Sequence, residues 1–423
     1  MPGKILNYGS VNIDESFSVP HICVSGETLS SSNYVVRAGG KGANQSIAFA
    51  KAGGKVYHAG NFGNDAVWIR DHMHENGIDM SFSRIKENEK NGRAFIQVSE
   101  ETGDNCIVLY PGTNGTYTTE EASEVFESFG PGDWIVQQNE ISQGGDIMRL
   151  AASKGLSILF NPAPLTKGIL KEFPFDKVTV LIVNEHEADS LYQQIGGTKQ
   201  VSGLDLATEL LNHFDAMQGV IVTLGGEGVV AKFRNGGKVS DFKVASRKVS
   251  VKDTTGAGDT FVGYFLAAFI RAEKEDYFKR VELALNEANF ASSIAVQREG
   301  SMASVPSLEE SDTFPPVTPA GFNGDDANLY HRNESWIEQN EKYIIIAVVV
   351  VFVLAILIWY IVKSIRGMRK RLAKENQANM MLMQGNNGIS ETVPVDGHGF
   401  QKMTDYSVTP HHQEQQQPYT HRY

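Results

Sequence analysis

Residues 253–261, DTTGAGDTF, have the types and spacing to move a phosphoryl group. Gly256, Ala257 and Gly258 are small enough for successive backbone N–H groups to close around an anion. A helix beginning there adds the partial positive charge of its N-terminus. Asp259 stands directly behind them. Such a pairing suits transfer of phosphate to a hydroxyl, since the cradle holds charge on the moving group while the carboxylate takes the hydroxyl proton. Taken alone, the stretch also reads as a helix cap with an acid in its first turn.

Three other stretches carry candidate chemistry. Asn12 and Asp14 lie just past an apolar run at 4–11, where open α/β sheets place ligand groups; in isolation they equally suit a turn that satisfies its own backbone. In GGKGANQS (39–46) the glycines permit close backbone approach, and Lys41 and Asn44 offer donors at a helix start. That run lacks the Walker-A spacing and fits sugar hydroxyls better than phosphate. Asn184 and Glu187, in NEHE, share a helical face after the run 181–183 and could hold a hydrated magnesium. The same spacing makes a capping box that needs no ligand. His186 reads as surface.

These residues need a scaffold, and the chain alternates in a way that supplies one. Short apolar runs at 56–59, 134–137, 157–160, 180–183 and 219–223 read as strands, and 66–76, 120–129, 146–154 and 204–214 as helices. That order predicts a parallel sheet covered on both faces. Residues 16–37, 93–98 and 106–110 read as strands outside it, forming a small lid. Val249 and Val251 alternate like a strand entering the 253–261 motif. Behind it Phe261, Phe265 and Phe269 recur at i, i+4 and i+8, so the helix buries one face.

The chain has 423 residues, 41% hydrophobic and 21% charged, a globular balance with room for one large domain plus appendages. A net charge of −12 argues against general nucleic-acid binding. Two cysteines, Cys23 and Cys106, supply no zinc spacing or disulfide framework and fit a reducing compartment. The first residues contain no run long enough for a signal-peptide core.

With GSVNID (9–14), GGKGANQS (39–46), NEHE (184–187), VTLGGEG (222–228), DTTGAGDTF (253–261) and AVQREGS (295–301) in this order, the chain resembles the phosphofructokinase-B-like sugar kinase family, most closely its ribokinase branch, over about residues 4–310. The resemblance implies a three-layer α/β/α sandwich with a β-lid that mediates homodimerisation. It implies ATP-dependent phosphorylation of a sugar primary hydroxyl, D-ribose to D-ribose 5-phosphate. A kinase for another sugar or a nucleoside is the alternative within the family, and a membrane receptor or adaptor with a ligand-binding kinase-like domain is the one outside it. Asp259 would be the base and Gly256, Ala257 and Gly258 the anion hole. Asn12, Asp14, Gly40, Lys41, Asn44 and Glu140 would bind sugar hydroxyls. Asn184, Thr223, Gly225, Gly228 and Asn289 would line the nucleotide site, with Glu187 acting on magnesium through water. Asp253, Thr255, Ala295, Arg298, Gly300 and Ser304 match the position of an activating monovalent cation, potassium. Tyr110 departs from the branch, which carries an aliphatic residue there, and is expected to reshape the sugar pocket.

Nothing in that family covers the C-terminal hundred residues. The expected organisation is a kinase domain at 1–315, a linker at 316–342, a transmembrane helix at 343–362 and a basic, then polar and disordered tail at 363–423. Residues 344–362 are nearly unbroken apolar sequence, long enough to span a bilayer, with Tyr343 and Trp359-Tyr360 at its ends. The basic residues that follow place the tail in the cytosol and the kinase outside, and Asn333 lies in a glycosylation sequon. ATP chemistry asks for the opposite, a cytoplasmic kinase. A junction between two unrelated coding segments near residue 315 would also resolve the conflict.

Overall fold

Three sheets organise the chain, whose computed structural model describes residues 3–312 together with Lys363 and Gly367. The chain divides into two units, Met1–Gly321 and Phe322–Tyr423, and all that follows concerns the first. Its strands are β1 (Ile5–Tyr8), β2 (Asn12–Val19), β3 (Asn33–Gly39), β4 (Val56–Ala59), β5 (Asn61–Gly63), β6 (Arg84–Lys86), β7 (Gly92–Ser99), β8 (Asn105–Tyr110), β9 (Trp134–Gln138), β10 (Ser157–Asn161), β11 (Val180–Asn184), β12 (Gly219–Thr223), β13 (Gly228–Asn235) and β14 (Lys238–Ala245). The main sheet has the order β14-β13-β12-β11-β10-β9-β1-β4. Along its central strands successive side chains enter opposite cores. Ile5 and Ile182 pack with Phe261 and Phe265 on one face; Leu6, Leu181 and Val183 pack with Ile135 and Phe160 on the other. Burial on both faces is why these strands read as continuous apolar runs.

The expected parallel sheet is parallel from β4 to β12, but β13 and β14 are antiparallel. Gly236 and Gly237, both at positive φ, make the two-residue turn joining them, a hairpin signal that the sequence reading passed over. The strand expected around Val249 and Val251 is absent, and Val251 is 60% exposed. The backbone N–H groups of Lys252 and Asp253 bond instead to the Val296 carbonyl, tying this segment to the end of the helix Tyr277–Ala295.

β2, β3, β7 and β8 form the lid, in the order β3-β2-β7-β8. Asn12 and Asp14 therefore begin a lid strand rather than sit in a turn. Tyr110 ends the outer strand of the lid and is 47% exposed. Among the described residues no helix is long and apolar enough to cross a membrane. The span expected at 343–362 lies outside the described residues, as do the linker and all of the tail but Lys363 and Gly367.

Two of the helices that carry site motifs are Lys41–Lys51 and Ala257–Arg271. They pack directly against each other, because Gly263 lets the second reach the backbone of the first. A Cβ on Gly263 would lie 2.8 Å from the Ala48 carbonyl carbon and 2.8 Å from the Phe49 nitrogen. Gly263→Ala is therefore expected to destabilise the protein by about 1–3 kcal/mol through overpacking, despite the better helix propensity of alanine. A denaturant midpoint equal to or above that of the parent would show that the helices have slack.

Candidate active site

The helix Ala257–Arg271 starts from Gly256, held at φ 77° in the left-handed region that glycine enters without penalty. A Cβ there would also sit 2.8 Å from Ser301 Cα, so the cradle rests on the 300–304 turn. Asp259, in the first helical turn, is 8% exposed. Its Oδ2 accepts a hydrogen bond from Asn44 Nδ2 and its Oδ1 one from Gln45 Nε2, each 3.0 Å. Asn44 Oδ1 is buried without a partner, a free acceptor beside the carboxylate.

A cleft of about 220 Å³ opens over these groups, lined among others by Lys41, Asn184, Glu187, Thr223, Gly258 and Asp259. Residues from four separate motifs thus meet at one hollow, at the C-terminal ends of parallel strands, where ligands of such sheets bind. Asn184 and Glu187 form the capping box: Glu187 N–H donates to Asn184 Oδ1 (2.8 Å) and Asn184 N–H to Glu187 Oε2 (2.9 Å). Both also line the cleft, so the cap leaves them facing it. His186 is exposed, as read.

The cleft is acidic around one amine. Burial alone would lower the Lys41 amine, but the field of Asp259, Glu140, Glu187 and Asp14 overcomes this and leaves it raised. Glu140 Oε2 accepts from the Ser10 hydroxyl (2.5 Å) and from Lys41 N–H (3.1 Å); burial pushes its carboxyl up. Burial, then the charges of Glu140 and Asp259, push Asp14 up to about 7, against the pull of Lys41 and Arg37. Burial also raises Glu187. Asn12 is oriented through its Oδ1, which accepts from Asn114 Nδ2 at 2.7 Å. The Gly40 N-cap turns the chain into the first site helix.

Other expected residues are placed less directly. Gly225 opens a short turn after Thr223, and Gly228 begins β13. Asn289 Nδ2 donates to the Ala245 carbonyl (2.9 Å), linking its helix to β14. In the expected cation loop, Asp253 accepts from Thr255 N–H and Gly300 N–H, each 2.9 Å. Burial would raise its carboxyl, but these bonds and Arg37 hold it below the usual carboxylate range. Ala295 and Ser304 make local bonds, the Ala295 carbonyl with Arg298 N–H (3.0 Å) and the Ser304 hydroxyl with the Ser301 carbonyl (2.9 Å). The Arg298 guanidinium reaches Glu310 at 2.7 Å. Sequence reading missed Ser10, Gln45, Asn114 and Asn161, polar residues whose roles depend on contacts far along the chain.

Residues 3–308 match the pattern of the pfkB family carbohydrate kinases. The chain belongs to that family. As a pfkB family kinase it is a transferase acting on a carbohydrate. It is 33% identical over 320 residues to the ribokinase of Schizosaccharomyces pombe, across 73% of this chain and 96% of that protein. Its fold is similar to that of the ribokinase from Cryptococcus neoformans var. grubii serotype A in complex with ADP: 35% identity, TM-score 0.62, and coverage of 73% of this chain and 99% of that one. It is also similar to the Arabidopsis thaliana ribokinase complexed with ribose and ATP, at 25% identity and TM-score 0.61, over 74% and 98% of the two chains.

The acidity of this kinase's cleft should be measurable in its stability. Between about pH 4, where unfolded Asp14 ionises, and about 7, where it ionises in the fold, the folded state binds the extra proton. Stability is therefore lost as pH rises through that window. From pH 5 to pH 8 the loss is about 2–3 kcal/mol. Asp14→Asn should abolish this component, so the stability of the variant relative to the parent should grow by that amount between pH 5 and pH 8 in urea titrations. An unchanged difference would place Asp14 in water.

Proposed function

We propose that this kinase transfers the γ-phosphate of ATP to the primary hydroxyl of a pentose, D-ribose to D-ribose 5-phosphate. The observation that carries the reading is the meeting of Asp259, backed by amide donors on both oxygens, with the glycine cradle at one cleft. The identities to ribokinases along most of the catalytic unit support the sugar.

The hydroxyl oxygen attacks the γ-phosphorus in line with the departing ADP oxygen. Its proton passes to Asp259, and the P–O bond to ADP breaks. The backbone N–H groups of Gly256, Ala257 and Gly258 hold the charge on the transferring group. Asn12, Asp14, Gly40, Lys41, Asn44 and Glu140 take the sugar, with Asn44 Oδ1 free to accept a hydrogen bond from a hydroxyl. Thr223, Gly225, Gly228 and Asn289 lie on the nucleotide side. Among the described residues no cluster of three or more acidic, histidine or cysteine side chains could hold a metal alone. That suits magnesium, which keeps waters and substrate phosphates as ligands. Asn184 and Glu187 would hold it, and burial of the Glu187 carboxylate is relieved by a cation; when bound, magnesium neutralises phosphate charge. The exposed lid side chains Tyr34, Val36, Phe95, Ile107 and Val108 support homodimerisation through the lid. The need for ATP argues for a cytoplasmic catalytic unit, with membrane anchoring through 343–362 as an added feature.

Asp259→Asn keeps the bond from Gln45 and should fold and bind sugar like the parent, while turnover falls by about 10²–10⁴-fold. Turnover within a few-fold of the parent would remove Asp259 from the base role. We assign the oxygen-rich loop of Asp253, Thr255 and Gly300 to potassium, which would stiffen the turn under Gly256. Rates in potassium chloride should exceed those in a bulky organic cation chloride at equal ionic strength; equal rates would refute the assignment.

A further inference from the structure

Behind Asp259 runs a chain of buried amides that the mechanism above does not use. Asn7 and Gln45 are completely inaccessible and Gln138 nearly so, and none of the three lines the cleft. Their hydrogen bonds run in one direction. The Gly42 carbonyl can only accept, so Asn7 presents Nδ2 to it (2.7 Å) and must point Oδ1 the other way. Asn7 Oδ1 accepts from Gln138 Nε2 (3.1 Å), and the same Nε2 donates to Gln45 Oε1 (2.7 Å). Gln45 is left with its Nε2 facing Asp259 Oδ1 (3.0 Å) and Asn161 Oδ1 (3.0 Å). A second anchor agrees: Asn161 Nδ2 donates to the Ile182 carbonyl (2.9 Å), so its oxygen must accept from Gln45. At the far end Asn7 also donates to Ser46 Oγ (2.9 Å), whose hydroxyl meets His58 Nδ1 (2.9 Å). Burial pushes His58 down to about 3, so the ring stays neutral and can accept.

We propose that Gln45 is a positioning residue, its amide locked by Gln138 and Asn7 so that a donor always faces Asp259 and fixes the carboxylate plane for the reacting hydroxyl. A reversed Gln45 would set oxygen against oxygen at Asp259 and at Asn161, and would face the Gln138 amide nitrogen with another donor. Two backbone carbonyls in different elements, Gly42 and Ile182, thereby dictate the polarity of the bond on the base. The inference rests on the base role of Asp259 proposed above.

The test is steady-state kinetics on the full chain with ATP and D-ribose, for the parent, Gln45→Met, Gln138→Met, the double variant and Asp259→Asn, each checked for a cooperative melt. Outer partners that orient a functional group typically carry about 10- to 100-fold. Gln45→Met should lower kcat by that factor, with KM for sugar and for ATP within about threefold. Gln138→Met should lower kcat less, and its effect should vanish in the Gln45→Met background, because it acts only through Gln45. If Gln45→Met does not fold, Gln138→Met alone carries the test, since it touches neither the base nor the cleft. A kcat within twofold of the parent in a folded variant, additive effects in the double variant, or a loss confined to KM would each overturn the proposal. An Asp259→Asn variant that turns over normally would instead overturn the base role itself.

Discussion

The close contact of two helices at Gly263 is the constraint on which the site depends. The helix Lys41–Lys51 brings Asn44 and Gln45, and the helix Ala257–Arg271 brings Asp259; the amide and carboxylate that meet are 215 positions apart in sequence. Only a residue without a side chain lets the backbones come near enough for a 3.0 Å bond from each amide. A Cβ there would force apart the two helices that carry the donors and the base. Core packing and catalytic geometry are here the same contact.

Charge sets a second condition. Asp14, Glu140, Glu187 and Asp259 surround Lys41, and burial of the carboxylates raises three of them above their ordinary values. The cleft therefore holds electrostatic cost that hydroxyl donors and a cation would relieve. Stability at neutral pH is given up locally for a site shaped to its ligands, a trade expected of functional sites rather than cores.

Much of this was legible in the sequence because it is local. The apolar runs of β9 to β12 and the phenylalanine spacing of the second site helix report burial directly, and the glycine motifs report backbone approach. Non-local facts were not legible. The edge hairpin was missed because Gly236-Gly237 joins strands with weaker apolar patterns at the rim of the sheet. Val249 and Val251 alternate without being a strand because the Val296 carbonyl captures the backbone that follows them. Asn12 and Asp14 looked like turn residues because only the lid pairing reveals them as strand residues. Gln45 carried no signal of its own, since one amide among the polar residues of a helix start gains meaning only from partners on other elements. For the pair Asn184 and Glu187, sequence offered two readings; the structure shows the capping box, and the same two residues line the cleft.

One contact has a consequence for how the molecule is made. Asp253 binds the Gly300 N–H, and Gly256 rests on Ser301, so the floor beneath the cradle comes from nearly the last described segment of the unit. During synthesis the base, the lid and both site helices emerge before that floor exists. A nascent chain that has reached only residue 290 carries Asp259 and the glycine cradle, yet lacks the turn on which Gly256 rests. The support of the cradle is thus among the last parts of the unit to be made.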